Sequence, residues 1–228
     1  MQEDGAALDS AYYVRLGLTY VGTDEEEAIR NFNRAAELDV GNSDAYYLRG
    51  ESYFALRKYD EAVRDFTRAI ELNHGDAGAY YNRALCLYEL ERFGEASADA
   101  SRAIRTSPNY SYAYWCRANC SYKTGKYEKA IDDYTRAIEL NPAHEEAYRN
   151  RGNTYYQLEK FRKAARDYTK ALELDRNDAA ACHNRGKARY FLGDIAGAKQ
   201  DIDRAHEMYP PLPDFEVMGP HLLSLVKK

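Results

Sequence analysis

Apolar and small residues recur along the chain at helical spacing. In residues 43–76, Tyr46, Gly50 and Tyr53 follow i, i+4, i+7 on one helix face, and Ala62, Phe66 and Ala69 repeat the spacing on a second. Lys58 and its neighbours fall in the break, so the stretch predicts two helices joined by a short turn. The segment Ala69-Ile70-Glu71-Leu72-Asn73 returns as Ala137-Ile138-Glu139-Leu140-Asn141, 68 residues later, which is twice 34. Laid out at that period, the chain divides into six units, residues 9–42, 43–76, 77–110, 111–144, 145–178 and 179–212, without insertion or deletion. Residues 1–8 form an N-terminal extension and 213–228 a C-terminal cap or tail.

Columns through the six units carry the packing information. Ala28, Ala62, Ala96, Ala130, Ala164 and Ala198 form one, and Ala35, Ala69, Ala103, Ala137, Ala171 and Ala205 another. Helix axes about 8–10 Å apart need small side chains at the contact, which places both columns on packed seams. Phe32, Phe66, Tyr134, Tyr168 and Ile202 fill the space beside them, with Ala100 an underfilled outlier. A third column is Arg15, Arg49, Arg83, Arg117, Arg151 and Arg185, matched on the second helix by Asn31, Asp65, Asp99, Asp133, Asp167 and Asp201. Desolvating an arginine at a seam is costly unless a carboxylate meets it, so the two columns predict a repeated ion-pair ladder. The functional alternative is an arginine row for an anionic ligand.

Composition narrows the classes. A hydrophobic fraction of 45% supports a buried core. No run approaches the ~18 apolar residues of a membrane span, and the start, Met1-Gln2-Glu3-Asp4, does not read as a secretion signal. A net charge of -5 argues against nucleic acid as a partner. Four cysteines make no disulfide framework and point to a reducing, cytoplasmic setting. Phosphate-cradling loops, His-Glu-x-x-His and nucleophile-elbow motifs are missing from the sequence, so no enzyme, cofactor or metal is expected. Cys116 and Cys120, one helical turn apart, read as core residues rather than metal ligands.

The columns resemble tetratricopeptide repeats over residues 9–212. The resemblance rests on an aromatic column (Tyr12, Tyr46, Tyr80, Tyr114, Tyr148, with Cys182 last) and a small-residue column (Gly50, Ala84, Ala118, Gly152, Gly186, with Leu16 first). It rests also on the alanines and on a closing proline kept as Pro108, Pro142 and Pro210 and replaced by Val40, His74 and Arg176. What it implies is an all-α, right-handed superhelical solenoid of six helix pairs, with a concave groove lined by the first helix of each pair. On that face lie Tyr13, Tyr47, Tyr81, Trp115, Arg149 and His183, then Gly17, Glu51, Leu85, Asn119, Asn153 and Lys187. A third column there is Tyr20, Phe54, Tyr88, Tyr122, Tyr156 and Tyr190, and Asn150 and Asn184 lie beside it.

The early units present aromatic rings, and the last two present Arg149, Asn150, Asn153, His183, Asn184 and Lys187. Residues 1–110 carry a net charge of -8 and residues 111–228 one of +3, which points to a peptide with an acidic end. The expected function is a non-catalytic scaffold or adaptor that binds a peptide segment or partner helix. Two rivals are a chaperone cofactor and a regulatory or substrate-docking module of an enzyme. The family's carboxylate clamp is matched by Arg149, Asn153 and Asn184, but Asp214 stands where a further lysine belongs, so the clamp is incomplete.

Overall fold

The computed structural model describes residues 8–210, so the expected C-terminal cap and Asp214 lie outside the described residues. Among those residues the fold is all-α, with twelve helices: α1 (Ser10–Leu18), α2 (Glu25–Leu38), α3 (Ser43–Ala55), α4 (Tyr59–Leu72), α5 (Ala77–Glu89), α6 (Phe93–Thr106), α7 (Ser111–Lys123), α8 (Tyr127–Leu140), α9 (Glu145–Gln157), α10 (Phe161–Leu174), α11 (Ala179–Phe191) and α12 (Ile195–Met208). They form six successive pairs. The chain divides into two compact units, the first ending at Cys116 and the second beginning at Arg117, within α7.

Local chemistry sets the turns. First helices α3, α5 and α11 begin on Asn42, Asp76 and Asp178, whose side chains accept backbone N–H groups of the opening turn. The first helices from α3 onward end in a Schellman arrangement, in which the amides of Lys58, Arg92, Lys126, Lys160 and Asp194 reach back five residues to a carbonyl at 2.8–3.0 Å. This puts Arg57, Glu91 and Glu159 in the left-handed region (φ 57°, 58° and 55°), where Gly125 and Gly193 serve elsewhere. The turns between pairs are closed by Asp39, Asn73, Asn141 and Asp175. Each Oδ1 accepts the amide two residues on, at 2.9–3.1 Å, so the turn is held where proline is absent as well as where it is present.

Within each pair a small residue lets a large one in. A methyl added at Gly152 would lie 2.8 Å from the Tyr168 ring, and one at Gly50 3.0 Å from Phe66. The third pair has Ala84 against Ala100, both fully buried; Trp115, Leu85 and Tyr81 pack there and supply the missing volume. The first pair departs from the period. Helix α1 stops at Leu18, and Gly17 rather than position 16 meets Phe32, a methyl there falling 2.5 Å from the ring. Gly17 is therefore buried in the seam instead of lying on the first-helix face.

The arginine and aspartate columns meet within every pair from the second onward. In the first unit, Arg49 contacts Asp65 through Nε and Nη2 at 2.7 and 2.5 Å, and Arg83 contacts Asp99 at 2.6 and 2.8 Å. In the second, Arg117 binds Asp133 at 2.8 and 2.7 Å, Arg151 binds Asp167 at 2.7 and 2.9 Å, and Arg185 binds Asp201 at 2.8 and 2.6 Å. The guanidinium also reaches the second helix of the preceding pair: Nη1 of Arg49, Arg83, Arg151 and Arg185 donates to Asn33, Thr67, Thr135 and Thr169 at 2.6–3.3 Å. Tyr46, Tyr80 and Tyr148 lie beneath Arg49, Arg83 and Arg151 at 5.2–5.8 Å. The first pair has no such rung: Arg15 is exposed, and Asn31 donates to the Glu27 carbonyl at 2.9 Å.

The arginine side chains of the five rungs are 13–28% exposed and the aspartates 4–15%, which places these pairs between surface and core. Asp167→Ala should therefore cost about 2–4 kcal/mol, less than a fully buried pair but far above an exposed one. Chemical denaturation checks this, with Glu139→Ala, which loses only the exposed contact to Arg136, expected to cost about 0–1 kcal/mol. Equal losses in the two variants would reduce the rungs to surface pairs. Glu159→Gly should stabilise by about 0.5–1 kcal/mol, because it removes a left-handed Cβ; an unchanged or lower midpoint would count against that reading of the turn.

Candidate functional site

In the first unit the first helices carry a row of partly exposed rings. Tyr13 follows the same one-residue slip as Gly17: it packs on Ala35, Ala36 and Ala45 in the place that Tyr46 takes in the next pair, and so falls outside this row, in which Tyr47 meets the edge of Phe66 with ring centroids 5.7 Å apart. The Tyr47 hydroxyl accepts from Asn82 Nδ2 at 2.9 Å, and the same nitrogen donates to Glu51 Oε1 at 3.2 Å. Tyr81 lies 5.1 Å from Tyr110 and 6.3 Å from Tyr112, while Trp115 packs against the cluster of Ala84, Ala100 and Cys116. The third aromatic column has a structural task as well: Phe54 meets Tyr59, and Tyr88 meets Phe93, at the start of the second helices.

The second unit replaces rings by amides. Asn119 Oδ1 accepts from Tyr134 Oη at 2.6 Å and from Asn150 Nδ2 at 3.0 Å. One pair on, Asn153 Oδ1 accepts from Tyr168 Oη at 2.8 Å and from Asn184 Nδ2 at 3.1 Å. Phenylalanine at position 66 has no hydroxyl, so this motif is confined to the pairs with a core tyrosine. Tyr122 packs on Tyr127 at 5.7 Å, and burial raises its phenol pKa. Phe161 and Phe191 stack at 4.6 Å, with Tyr156 on their edge.

The three basic residues expected to receive an acidic end stand in different states. Arg149 is already in an ion pair: Nη1 lies 2.7 Å from Asp178 Oδ2, with Glu146 at 3.6 Å. His183 is buried, its Nδ1 has no hydrogen-bond partner, and burial, then Lys187, lowers its pKa to about 4. It is therefore neutral near pH 7. Among the described residues Lys187 has no ion-pair partner; its Nζ lies 5.1 Å over the Tyr156 ring, and burial lowers its pKa. Asn150 and Asn184 are tied to the preceding pair rather than free to turn toward a carboxylate.

A cleft of about 910 Å³ in the second unit lies on the ladder side, lined by Thr135, Tyr148, Arg151, Tyr155, Lys163 and Arg166 among others. Among the described residues, no group of three His, Cys, Asp or Glu is placed to hold a metal ion, and no helix is long and apolar enough to cross a membrane. The sequence reading missed the residues that precede the first helices: Asn42, Asp76, Tyr110, His144 and Asp178. Tyrosine at a capping place breaks the local preference, and that was the available signal.

Models described as tetratricopeptide repeat match residues 43–76, 77–110 and 145–178, and one described as TPR repeat matches 118–159. No curated protein gives a significant match. Among solved structures, PilW, a widely conserved type IV pilus biogenesis factor, is similar over 88% of this chain and 94% of its own, with TM-score 0.79 and 22% identity. PilF of Pseudomonas aeruginosa covers 88% and 92% (TM-score 0.78, 19% identity). YrrB, described as a TPR protein with an unusual peptide-binding site, covers 78% and 92% (TM-score 0.63, 21% identity). These likenesses establish the tetratricopeptide solenoid fold.

His183 makes a pH prediction. Its pKa falls from an ordinary 6.5 to about 4 on folding, so the unfolded chain binds the extra proton between those values. Its contribution to stability is full above pH ~6.5 and is lost progressively as the pH falls toward ~4. His144 is lowered by burial as well and acts in the same direction, so the informative quantity is the difference between wild type and His183→Gln. Denaturation midpoints should decline less steeply for the variant across this window; parallel curves would show that His183 is not held neutral.

Proposed function

We propose, because the chain belongs to the tetratricopeptide repeat family, that it is a non-catalytic protein-interaction scaffold whose first-helix faces bind a peptide segment or partner helix. The observation that carries this reading is the row of partly exposed rings on the first unit, Tyr47, Tyr81 and Trp115. Rigid amphipathic rings give contact area at low entropic cost, and such residues dominate recognition surfaces. The peptide-binding description of YrrB supports the same class of ligand.

In the second unit, Asn119, Tyr122, Asn150, Asn153 and Asn184 form an ordered polar face suited to peptide backbone, and Lys187 is the side chain suited to an acidic group. Arg149 and His183 line this face without supplying an unengaged charge. A carboxylate clamp of the chaperone-cofactor kind has less support, because Arg149 would have to leave Asp178. The four cysteines are all buried, which favours a reducing, cytoplasmic setting.

The test begins with a partner captured from the native lysate and proceeds to binding kinetics. Trp115→Ala should weaken binding by about 2 kcal/mol, roughly thirtyfold, mainly through faster dissociation. Lys187→Glu should slow association more at low than at moderate salt. Near-native kinetics for both variants would move the interaction off the first-helix faces and sink the proposal.

A further inference from the structure

The second unit shows what the residue before a first helix can hold. Asp178 gives Oδ1 to the Ala181 amide at 2.9 Å, capping α11, and gives Oδ2 to the Arg149 guanidinium at 2.7 Å. Arg149 is the inward residue of the preceding first helix. Between the second and third pairs, in the first unit, the corresponding residues are Asp76 and Tyr47. Asp76 caps α5 in the same way, its Oδ1 accepting the Ala79 amide at 3.0 Å. A tyrosine stands where the arginine would be, and among the described residues no ion pair forms with Asp76.

Glu51, one helical turn beyond Tyr47, is a second carboxylate without an ion pair among the described residues, and it accepts from Asn82. Position 78 is glycine where the other pairs carry Asp44, Tyr112, Glu146 and Ala180, and a methyl there would lie 3.1 Å from Asp76 Oδ1 and 3.4 Å from the Tyr47 hydroxyl. Tyr110 closes the far side. Its phenol is pushed up to about 12, by burial first and then by Asp76, Tyr112 and Glu51; Tyr47 is raised by burial and then by Glu51. Both rings therefore sit in the field of the two carboxylates.

We infer that the surface formed by Asp76, Glu51, Tyr47, Gly78 and Tyr110 binds an arginine side chain of the partner, reproducing with an external guanidinium the contact that Arg149 makes with Asp178 inside the chain. The chemistry suits a guanidinium: a planar fork matches a carboxylate and its face stacks on a phenol ring. The inference rests on the peptide-binding reading and adds a charge to it, so that a basic residue goes to the first unit.

The test uses the full chain with ¹³C-labelled tyrosine rings, titrated with N-acetyl-arginine amide and with its neutral isostere N-acetyl-citrulline amide. The arginine probe should shift the Tyr47 and Tyr110 signals saturably, and the citrulline probe should bind at least about fivefold more weakly. Asp76→Asn should weaken the arginine probe by a similar factor while keeping the cap, since asparagine accepts the same amide. Glu51→Gln should do the same, and added salt should erase the preference. Equal affinity for the two probes, no response to either substitution, or no saturable shift at these rings would overturn the cation site. Binding of both probes alike would still leave a peptide face, whereas the peptide-binding reading itself is judged by the Trp115→Ala kinetics.

Discussion

The bidentate contact between an arginine on each first helix from α3 onward and an aspartate sixteen residues later is the interaction around which the repeat is built. Burying a guanidinium at a seam is unfavourable unless its donors are met, and here the fork takes two carboxylate oxygens while the remaining nitrogen reaches a hydroxyl or amide of the pair before. One side chain thus ties three helices. The tyrosine below the guanidinium covers its face, and the threonine that accepts from Arg83 in turn donates to the Val63 carbonyl, 2.7 Å away. Stability of repeat arrays is set by such nearest-neighbour terms. The first pair, where Arg15 is exposed and α1 is short, lacks the device and packs in a different register.

Because the arginines are used internally, the side chains that the ladder leaves unengaged include those of the first-helix faces. Those faces differ between the two units for a simple reason. In the second, core tyrosines Tyr134 and Tyr168 project hydroxyls that organise Asn119 and Asn153, and each asparagine recruits the next pair's asparagine. In the first, Phe66 and Ala100 have no hydroxyl to offer, and tyrosines lie on the face itself. The capping residues then decide local charge: Asp178 is neutralised by Arg149, and Asp76 is not.

Much of this was legible in the sequence. The 34-residue period and the two unbroken alanine columns fix where helices meet, and the paired arginine and aspartate columns announce their contact, because unmatched charge at a seam is too costly to recur. Three things were not legible. The one-residue slip that buries Gly17 follows from the early end of α1, a property of the turn rather than of the column. The asparagines were read as ligand contacts, but column reading does not show that neighbouring pairs bring Asn150 to Asn119. Arg149 was counted as an unengaged cation because its partner, Asp178, is 29 residues away, at a position before the next first helix that the columns did not include.

The claim that one guanidinium couples adjacent pairs is tested most directly by double-mutant cycles on Arg151, with Asp167 in its own pair and Thr135 in the preceding one. Stability is measured for Arg151→Met, each partner's alanine variant and both doubles. The account predicts coupling of about 2 kcal/mol or more with Asp167 and about 1 kcal/mol with Thr135, since the first contact is charged at both ends and the second at one. Coupling to Asp167 with none to Thr135 would confine the arginine to its own pair, and coupling near zero in both cycles would contradict the account outright.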